Sequence, residues 1–242
     1  MAKGERVIAV SQAIKEHIAE SYPKTNLDLI TVNPRGVDDA QYAMNYRPAP
    51  GAEALRLRQA QQDQYVITLP GRVTGWKGGE DFLSIIHGLR QQGIPAVGWF
   101  AGGVHGERDK FAQKLKEQIQ TLGLDEAIEF LGQRSDLQDI MAVSDVVVSL
   151  STKPEAFGRV SLEALRIGKP LLGYAHGGVK EQLEALFPEG AVQPSDRNAA
   201  TTLLTQWYHE RPTVPERENP FTLQNMLATT LGVYEELLSS PR

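Results

Sequence analysis

The chain of 242 residues contains no cysteine. It therefore has no disulfide, no thiolate nucleophile and no cysteine-ligated zinc site. It also has no excess of basic residues, since 25 Lys and Arg stand against 30 Asp and Glu and the net charge is −5. Nucleic-acid binders and proteins held on anionic membranes need a basic surface, so this composition argues against both. Any phosphate site must come from a local cluster of cations.

Long apolar runs are missing as well. No segment approaches the roughly 18 consecutive apolar residues of a transmembrane helix, and none near the start is long enough for a signal peptide. Together with the absence of cysteine, this pattern predicts a cytoplasmic location. Hydrophobic residues make up 41% of the chain, which is enough for a sizeable core and argues against disorder.

Short apolar runs alternate with stretches that suit amphipathic helices. The runs are Val7–Val10, Leu29–Val32, Tyr65–Leu69, Ala96–Ala101, Ala127–Leu131, Asp145–Leu150, Pro170–Tyr174 and Ala191–Gln193. The helical stretches are Ser11–Glu20, Ala52–Gln61, Gly79–Gln92, Glu107–Leu122, Leu137–Val143, Phe157–Ile167, Val179–Leu186, Asn198–Glu210 and Thr222–Leu238. Strand followed by helix, repeated along the chain, predicts an α/β fold with a doubly wound parallel sheet. Ligands bind such sheets beyond the carboxyl ends of the strands, so the loops after strands are the candidate sites.

The loop after Tyr65–Leu69 is rich in glycine and holds two cations, Arg72 and Lys77, just before a helix. Glycine allows a ligand to approach the backbone closely, and the start of a helix favours an anion. Arg72 can grip a phosphate with two donors, and Lys77 supplies a compact charge. A solvated turn with two surface cations explains the same pattern equally well. The loop fits neither the dinucleotide nor the Walker fingerprint.

The loop after Asp145–Leu150 carries two acids around the start of the next helix. Glu155 lies just outside the helix, and Glu163 lies about one and a half turns inside it. A carboxylate accepts two hydrogen bonds and so matches a pair of sugar hydroxyls. Simpler alternatives to sugar binding exist for both acids. Glu155 could interact only with the dipole of the helix, and Glu163 could be an ordinary solvated helix residue. Apolar neighbours of Glu163 nevertheless indicate partial burial.

Three further loops after strands contain glycines or polar residues that could border a ligand. They are Gly102-Gly103, Gly132-Gln133-Arg134 and Gly177-Gly178. The five histidines are scattered along the chain, and neither an HExxH nor an Asp-x-Asp motif is present. No metal requirement is therefore predicted.

These loops, in this order, resemble the C-terminal domain of the family 4 glycosyltransferases, also called glycosyl transferases group 1. The resemblance covers nearly the whole chain. At the start of the chain, Val7–Ser11 resembles the strand that opens that domain, and Pro34–Asp38 resembles the family's Pro-Asn-Gly-Val-Asp. Gly71-Arg72 and Lys77-Gly78 resemble the diphosphate clamp, and Phe130–Gly132 resembles the strand end beside the base. Glu155–Gly158 through Glu163 resembles the Glu-x7-Glu motif, and Gly168–Pro170 and Gly177–Glu181 resemble the final loops. Arg35 replaces the usual Asn, and Ala156 replaces the usual Gly.

The resemblance implies a role for each matched residue. Arg72 and Lys77 would hold the diphosphate and act as catalytic residues together with Glu155, which would meet the donor sugar. Glu163 would bind the ribose hydroxyls. The remaining nucleotide-sugar-binding positions implied are Gly71, Gly103, Gln133, Arg134, Phe157, Gly158, Arg159 and Val160. The family is metal-independent, and it usually retains the anomeric configuration, so a nucleoside-diphosphate sugar is the expected donor and no cofactor is expected.

The resemblance also implies a division of the chain and a missing partner. Residues 1–215 would form the donor domain of a GT-B fold, and residues 216–242 would form a crossover helix that packs on an N-terminal acceptor domain not seen in this sequence. The fragment alone would bind the donor without transferring sugar. The intact enzyme would be cytoplasmic or peripheral to the inner face of the membrane, with a role in cell-surface polysaccharide or lipopolysaccharide synthesis. A GT-B-type sugar-nucleotide 2-epimerase and a non-catalytic nucleotide-sugar-binding module are the alternatives.

Overall fold

A computed structural model of the protein describes residues 4–59, 63–104 and 110–239. In these ranges the strands are β1 (Val7–Ala9), β2 (Ile30–Val32), β3 (Tyr65–Pro70), β4 (Ala96–Ala101), β5 (Ile128–Phe130), β6 (Val146–Ser149), β7 (Leu171–Tyr174) and β8 (Ala191–Val192). The α-helices are α1 (Gln12–Ser21), α2 (Pro50–Gln59), α3 (Gly79–Gln91), α4 (Lys110–Leu122), α5 (Leu137–Val143), α6 (Arg159–Arg166), α7 (Gly177–Leu186), α8 (Arg197–Glu210) and α9 (Leu223–Ser239).

Most predicted elements lie within two residues of their observed positions. Ser11 caps α1, because its side chain accepts a hydrogen bond from the backbone N–H of Ile14. The helix predicted from Phe157 begins instead at Arg159, since Gly158 adopts a left-handed conformation at the position before it. The predicted helix starting at Glu107 and the end of the helix predicted to Gln61 extend into residues outside the described ranges.

Six strands form one parallel sheet in the order β5-β4-β3-β6-β7-β8. The chain runs outward from β3 to β5, then returns to place β6 on the other side of β3, where Ile67 pairs with Val146. The direction of winding therefore reverses between β3 and β6. Loops leaving the two strands diverge at this point and open a crevice, which is where doubly wound sheets bind ligands.

Much of the core of this sheet is built from the neighbouring strands β3 and β4 and from α3, the helix that joins them. All six residues of β4 are buried, as are the first five of β3. Phe82 of α3 meets Phe100 of β4 edge to face, with ring centroids 5.1 Å apart. Burial on both faces explains why the apolar runs show little alternation, and it gives the crevice a rigid floor.

The first two strands do not join the six-stranded sheet. β1 and β2 form a separate parallel pair in which Val7 lies opposite Ile30. The alternation of runs predicted one sheet and could not show this separation, because pairing depends on where the connecting segment 33–49 leads the chain. The strand that the resemblance placed at the start of the donor domain thus lies outside its main sheet.

Helix α9 connects the two sheets. A single parallel bridge joins Val37 to Thr222, just before α9 begins. The side-chain amide of Asn33, which follows β2, donates to the carbonyl of Met226 at 3.0 Å and to the hydroxyl of Thr230 at 2.8 Å. α9 therefore leaves the large sheet and packs beside the β1–β2 pair. None of the helices in the described ranges is long and apolar enough to cross a membrane.

Candidate functional site

The loops after β3 and β4 lie against each other beyond the ends of their strands. The N–H of Gly71 donates to the carbonyl of Ala101 at 3.0 Å, and the N–H of Val73 donates to the carbonyl of Gly103 at 3.1 Å. A Cβ atom on Gly102 would lie 1.9 Å from the carbonyl oxygen of Gly71, so only glycine permits this contact. The paired loops form one wall of the crevice.

Two hollows open at the carboxyl edge of the sheet, and both include Gly71. The first has a volume of about 300 Å³ and is lined by Gly71, Arg72, Ala101, Gly102, Gly103, Val104, Gln133, Arg134 and Leu137. The second has a volume of about 190 Å³, and its lining includes Gly71, Lys77, Ser149, Glu155, Gly158, Arg159, Val160 and Ser161. Gly71 lines both hollows, so they lie next to each other along this edge, and together they make up the cleft.

Lys77 and Glu155 form an ion pair in the second hollow. The ammonium nitrogen lies 2.8 Å from Oε1 of Glu155, and the two side chains are 21% and 17% exposed. The hydroxyl of Ser151 donates to the same carboxylate oxygen. The Lys77 nitrogen also lies 4.3 Å from the centroid of the Trp76 ring, which favours the cation. The charge of Lys77 is therefore balanced within the chain itself.

Glu163 is buried, although a solvated position was the simpler expectation. Its side chain is 9% exposed and accepts a hydrogen bond from Nε of Arg159 at 2.7 Å. Tyr42 lies beside this pair. Burial and then the charge of Glu163 raise the pKa of Tyr42, while the hydrogen bond that Arg159 donates to Glu163 raises the pKa of Arg159. The buried acid thus has the partners that burial requires.

Arg72 differs from the other cations of the cleft. Among the described residues, it takes part in no ion pair, whereas Lys77, Arg159 and Arg134 each contact a carboxylate. Arg134 is held by Asp136 through two hydrogen bonds of 2.8 and 2.7 Å. This pairing lowers the pKa of Asp136. Among the described residues that line the cleft, Arg72 is consequently the unbalanced cation, with no carboxylate partner.

The segment 155–157, at the start of α6, is held by its carbonyl groups. The carbonyl of Glu155 accepts from the N–H of Gly178 at 2.9 Å, that of Ala156 from the hydroxyl of Ser11 at 2.6 Å, and that of Phe157 from the side-chain amide of Gln182 at 2.6 Å. No described residue accepts a hydrogen bond from the N–H groups of Ala156, Phe157 and Gly158. These three amides remain available to a ligand.

The predicted site residues fall along this one cleft. Lys77, Glu155, Gly158, Arg159 and Val160 line the second hollow, Glu163 contacts Arg159 there, and Phe157 is the residue before Gly158. Arg72, Gly103, Gln133 and Arg134 line the first, with Gly71 between them. Arg72 and Lys77 also border one small cavity together. Their roles toward a ligand remain predictions.

Sequence reasoning did not single out Tyr42, Ser151 or Ser11. Tyr42 lies 121 positions before Glu163, in an irregular segment that carries no recognisable pattern. Ser151 lies two residues after the end of β6, so the rule that ligands bind beyond strand ends could have found it. Ser11 appeared only as the first residue of a predicted helical stretch and the last of the Val7–Ser11 match, and nothing in the sequence indicates that its hydroxyl reaches a loop 145 positions away. In the described part of the chain, no group of three His, Asp or Glu side chains is arranged to hold a metal ion.

An open parallel sheet with its cleft at the reversal of strand order, bordered by loops of this chemistry, is the architecture of a GT-B glycosyltransferase domain. Residues 53–220 match the model of the family described as Glycosyl transferases group 1. The chain belongs to this family.

Relatives with known structures or names support the assignment. The structure of a glycosyltransferase from Rickettsia africae ESF-5 is 25% identical, covers 99% of this chain and 65% of its own, and superposes with a TM-score of 0.82. The structure of Anabaena Alr3699/HepE in complex with UDP and glucose is 23% identical, covers 98% of this chain and 64% of its own, and has a TM-score of 0.78. This second likeness shows the fold alone.

A curated relative with a similar sequence identity is also a glycosyltransferase. The D-inositol 3-phosphate glycosyltransferase of Salinispora arenicola (strain CNS-205) is 26% identical over 203 residues, which cover 78% of this chain and 45% of the relative. The chain spans about half the length of the curated relatives it matches.

Proposed function

We propose that this chain is the donor-binding part of a glycosyltransferase that transfers a sugar from a nucleoside-diphosphate sugar to an acceptor, with retention of configuration. The observation that carries the proposal is the single cleft that gathers an unbalanced Arg72, the Lys77–Glu155 pair and the free amides before α6. A diphosphate needs cations and amide donors, and a sugar needs carboxylate acceptors. Both sets lie at the carboxyl edge of one sheet.

The proposed chemistry places negative charge where these groups can stabilise it. During transfer, the bond between the anomeric carbon and the β-phosphate oxygen breaks, and the acceptor oxygen forms the new bond to that carbon while its proton passes to the departing diphosphate. Charge builds up on the departing diphosphate. Arg72, Lys77 and the amide of Gly158 would stabilise this charge more in the transition state than in the bound donor, which is the condition for catalysis.

The other residues would bind the donor along the cleft. Glu155 and the amide of Phe157 would meet the sugar, and Glu163 would accept from the ribose hydroxyls. Gln133, Gly103 and the backbone of Arg134 would border the base, because the Arg134 side chain is occupied by Asp136. We propose no metal or cofactor beyond the donor. A cytoplasmic or membrane-peripheral location and a role in cell-surface polysaccharide synthesis also belong to the proposal.

Nucleotide binding is expected to raise the melting temperature of the chain. A ligand at 100 times its dissociation constant stabilises the native state by about 2.7 kcal/mol, which is roughly 5–10 °C for a domain of this size. Thermal unfolding with UDP, GDP, ADP and their glucose or mannose derivatives measures the shift. The matching nucleosides, which lack the diphosphate, are the control and should give little shift. The absence of a shift with every diphosphate would overturn the proposal.

The proposal includes an acceptor-binding domain that covers α9. Leu227, Leu231, Tyr234 and Leu238 of this helix are all about half exposed or more. Leu223, Leu227 and Leu231 line an open groove of about 540 Å³ together with the bridge at Val37. We propose that residues 1–215 form the donor domain and that residues 216–242 form the crossover segment onto the second domain.

Replacing Leu231 and Tyr234 with Asp is expected to weaken binding of the acceptor-binding domain while leaving the stability of this chain nearly unchanged. Both side chains are 59% exposed, so the free energy of unfolding should change by less than about 0.5 kcal/mol. Binding to the acceptor-binding domain, supplied as a separate chain, should weaken at least tenfold, because charges would enter an apolar interface. Urea unfolding and calorimetry measure the two effects, with Glu235→Ala on the same helix as the control. Unchanged binding would argue against docking at this face.

A further inference from the structure

The amide directions at the start of α6 are set by two neighbouring elements of the fold. In a trans peptide, the carbonyl of one residue and the N–H of the next point in opposite directions. The described residues contain no cis peptide. The hydrogen bond that Ala156 accepts from Ser11 therefore turns the N–H of Phe157 away from Ser11. The hydrogen bond that the carbonyl of Phe157 accepts from Gln182 likewise turns the N–H of Gly158 away from Gln182.

Helix α7 holds the loop and the β1–α1 turn at the same time. Gly178 and Gln182 of α7 bind the carbonyls of Glu155 and Phe157. Between them, Glu181 accepts hydrogen bonds from the first two amides of α1, at 3.1 Å from Gln12 and 2.8 Å from Ala13. A carboxylate in this position satisfies two unpaired N–H groups and interacts favourably with the helix dipole. Glu181 thereby fixes the place from which Ser11 reaches the loop.

Ser11 is buried and fully hydrogen-bonded, so it can hold the segment 155–157 in one orientation. Its side chain is fully buried, and its hydroxyl donates to Ala156 while accepting from the N–H of Ile14. The β1–α1 turn and the loop are 145 residues apart in sequence and belong to different sheets. A displacement of the β1–β2 pair would therefore move the hydroxyl and release the carbonyl of Ala156. The hydrogen bond couples the position of this pair to the geometry of the cleft.

We propose that Ser11 and Glu181 are positioning residues that aim the N–H of Phe157 at the donor sugar. They thereby set the preference of the cleft for a sugar-bearing nucleotide over the bare diphosphate. This inference rests on the proposed function, because it assigns the amide of Phe157 to the sugar. Neither residue would contact the donor. The diphosphate end of the cleft should not be affected, because Arg72 and Lys77 lie on a different loop and the amide of Gly158 is oriented by Gln182, not by Ser11.

The test compares binding of UDP and UDP-glucose to the chain and to the Ser11→Ala variant by calorimetry. If the thermal shifts favour another base, that diphosphate and its glucose or mannose derivative replace this pair. We expect unchanged affinity for the bare diphosphate and an affinity for the sugar derivative reduced about fivefold, as for the loss of one hydrogen bond. Glu181→Ala should act in the same direction. Because Ser11→Ala also removes a helix cap, Asp196→Ala, which removes the cap of α8, is the matched control. The control should leave the ratio of the two affinities unchanged.

A second measurement on the ligand-free chain is independent of the donor. The ¹⁵N order parameter of the Phe157 amide should fall from about 0.85, typical of rigid backbone, toward 0.6 in Ser11→Ala but not in Asp196→Ala. An equal loss of affinity for both ligands, or no change in their ratio, would overturn the inference. So would an unchanged order parameter. If the wild-type chain binds no nucleotide, the proposed function fails, and the assignment of Phe157 to a sugar fails with it. The order parameter then still decides whether Ser11 positions the amide.

Discussion

Replacing Arg72 or Lys77 with alanine is expected to lower the rate of sugar transfer by about 10²–10³, as for the loss of one donor to a developing oxyanion. The measurement needs an enzyme in which this chain is joined to its acceptor-binding domain. On the chain alone, each replacement should weaken binding of a nucleoside diphosphate by about 10- to 100-fold, the value of a hydrogen bond to a charged group. Unaffected turnover in both variants would contradict the proposed role.

The two cations should differ in one respect that the structure reveals. Lys77→Ala leaves the carboxylate of Glu155 without its cation, close to an incoming diphosphate. Arg72→Ala, by contrast, takes no cation away from any acid among the described residues. Adding Glu155→Gln to Lys77→Ala should therefore recover part of the affinity for the bare diphosphate, by about tenfold. The same addition to Arg72→Ala should not. A double-mutant cycle measured by calorimetry gives this coupling directly. If Glu155→Gln changed the diphosphate affinity equally in the Lys77→Ala and Arg72→Ala variants, the Lys77–Glu155 pair would have no influence on diphosphate binding.

Gly78→Ala is expected to destabilise the chain by about 2–5 kcal/mol. The residue has φ of 78°, and an added Cβ would lie 1.9 Å from the carbonyl oxygen of Leu150. The left-handed conformation costs roughly 1–2 kcal/mol, and the collision adds roughly 1–3 kcal/mol. Urea unfolding measures the change. Nucleotide binding should weaken as well, because this contact sets the distance between the β3 loop and the end of β6, and hence between Lys77 and Glu155.

Gly123→Ala is the matched control for the collision. Gly123 also has a positive φ, 65°, but nothing lies within 4 Å of an added Cβ. Its replacement should cost about 1 kcal/mol and leave nucleotide binding unchanged. If the two variants lost the same stability, the close contact at Leu150 would have no energetic consequence, and the link between this contact and the site would be wrong.

Most of the large sheet could be predicted from the chain because its strands are buried on both faces. Tyr65–Leu69 and Asp145–Leu150 are continuous apolar runs, and each is followed by a loop that supplies site residues. Parallel strands separated by helices place those loops at one edge, so the order of the loops already predicts a shared cleft. The position of β1 and β2 was not predictable in this way, because short strands carry no signal for the sheet they join.

The pairing of charges in the cleft also could not be predicted from the sequence. Sequence identified Lys77, Glu155 and Glu163 as candidates, but it gave no sign that Lys77 pairs with Glu155 or that Glu163 is buried against Arg159 beside Tyr42. Lys77 and Glu155 are 78 positions apart. Whether two such groups neutralise each other depends on a separation of a few ångströms, since an ion pair weakens quickly as water enters between its members. That separation follows from how β3 and β6 pair.

The amino-acid sequence alone was sufficient to predict an α/β chain of this family, and it proposed phosphate and hydroxyl chemistry for the loops after its strands, which stays a prediction. Local periodicity and residue type carry that information, because both act over a few neighbouring residues. Only the tertiary structure decided that Arg72 is the unbalanced cation, that β1 and β2 stand apart, and that Ser11 holds the loop before α6. These features depend on contacts between residues far apart in the chain, and hydrogen bonds and ion pairs are made or lost within about one ångström.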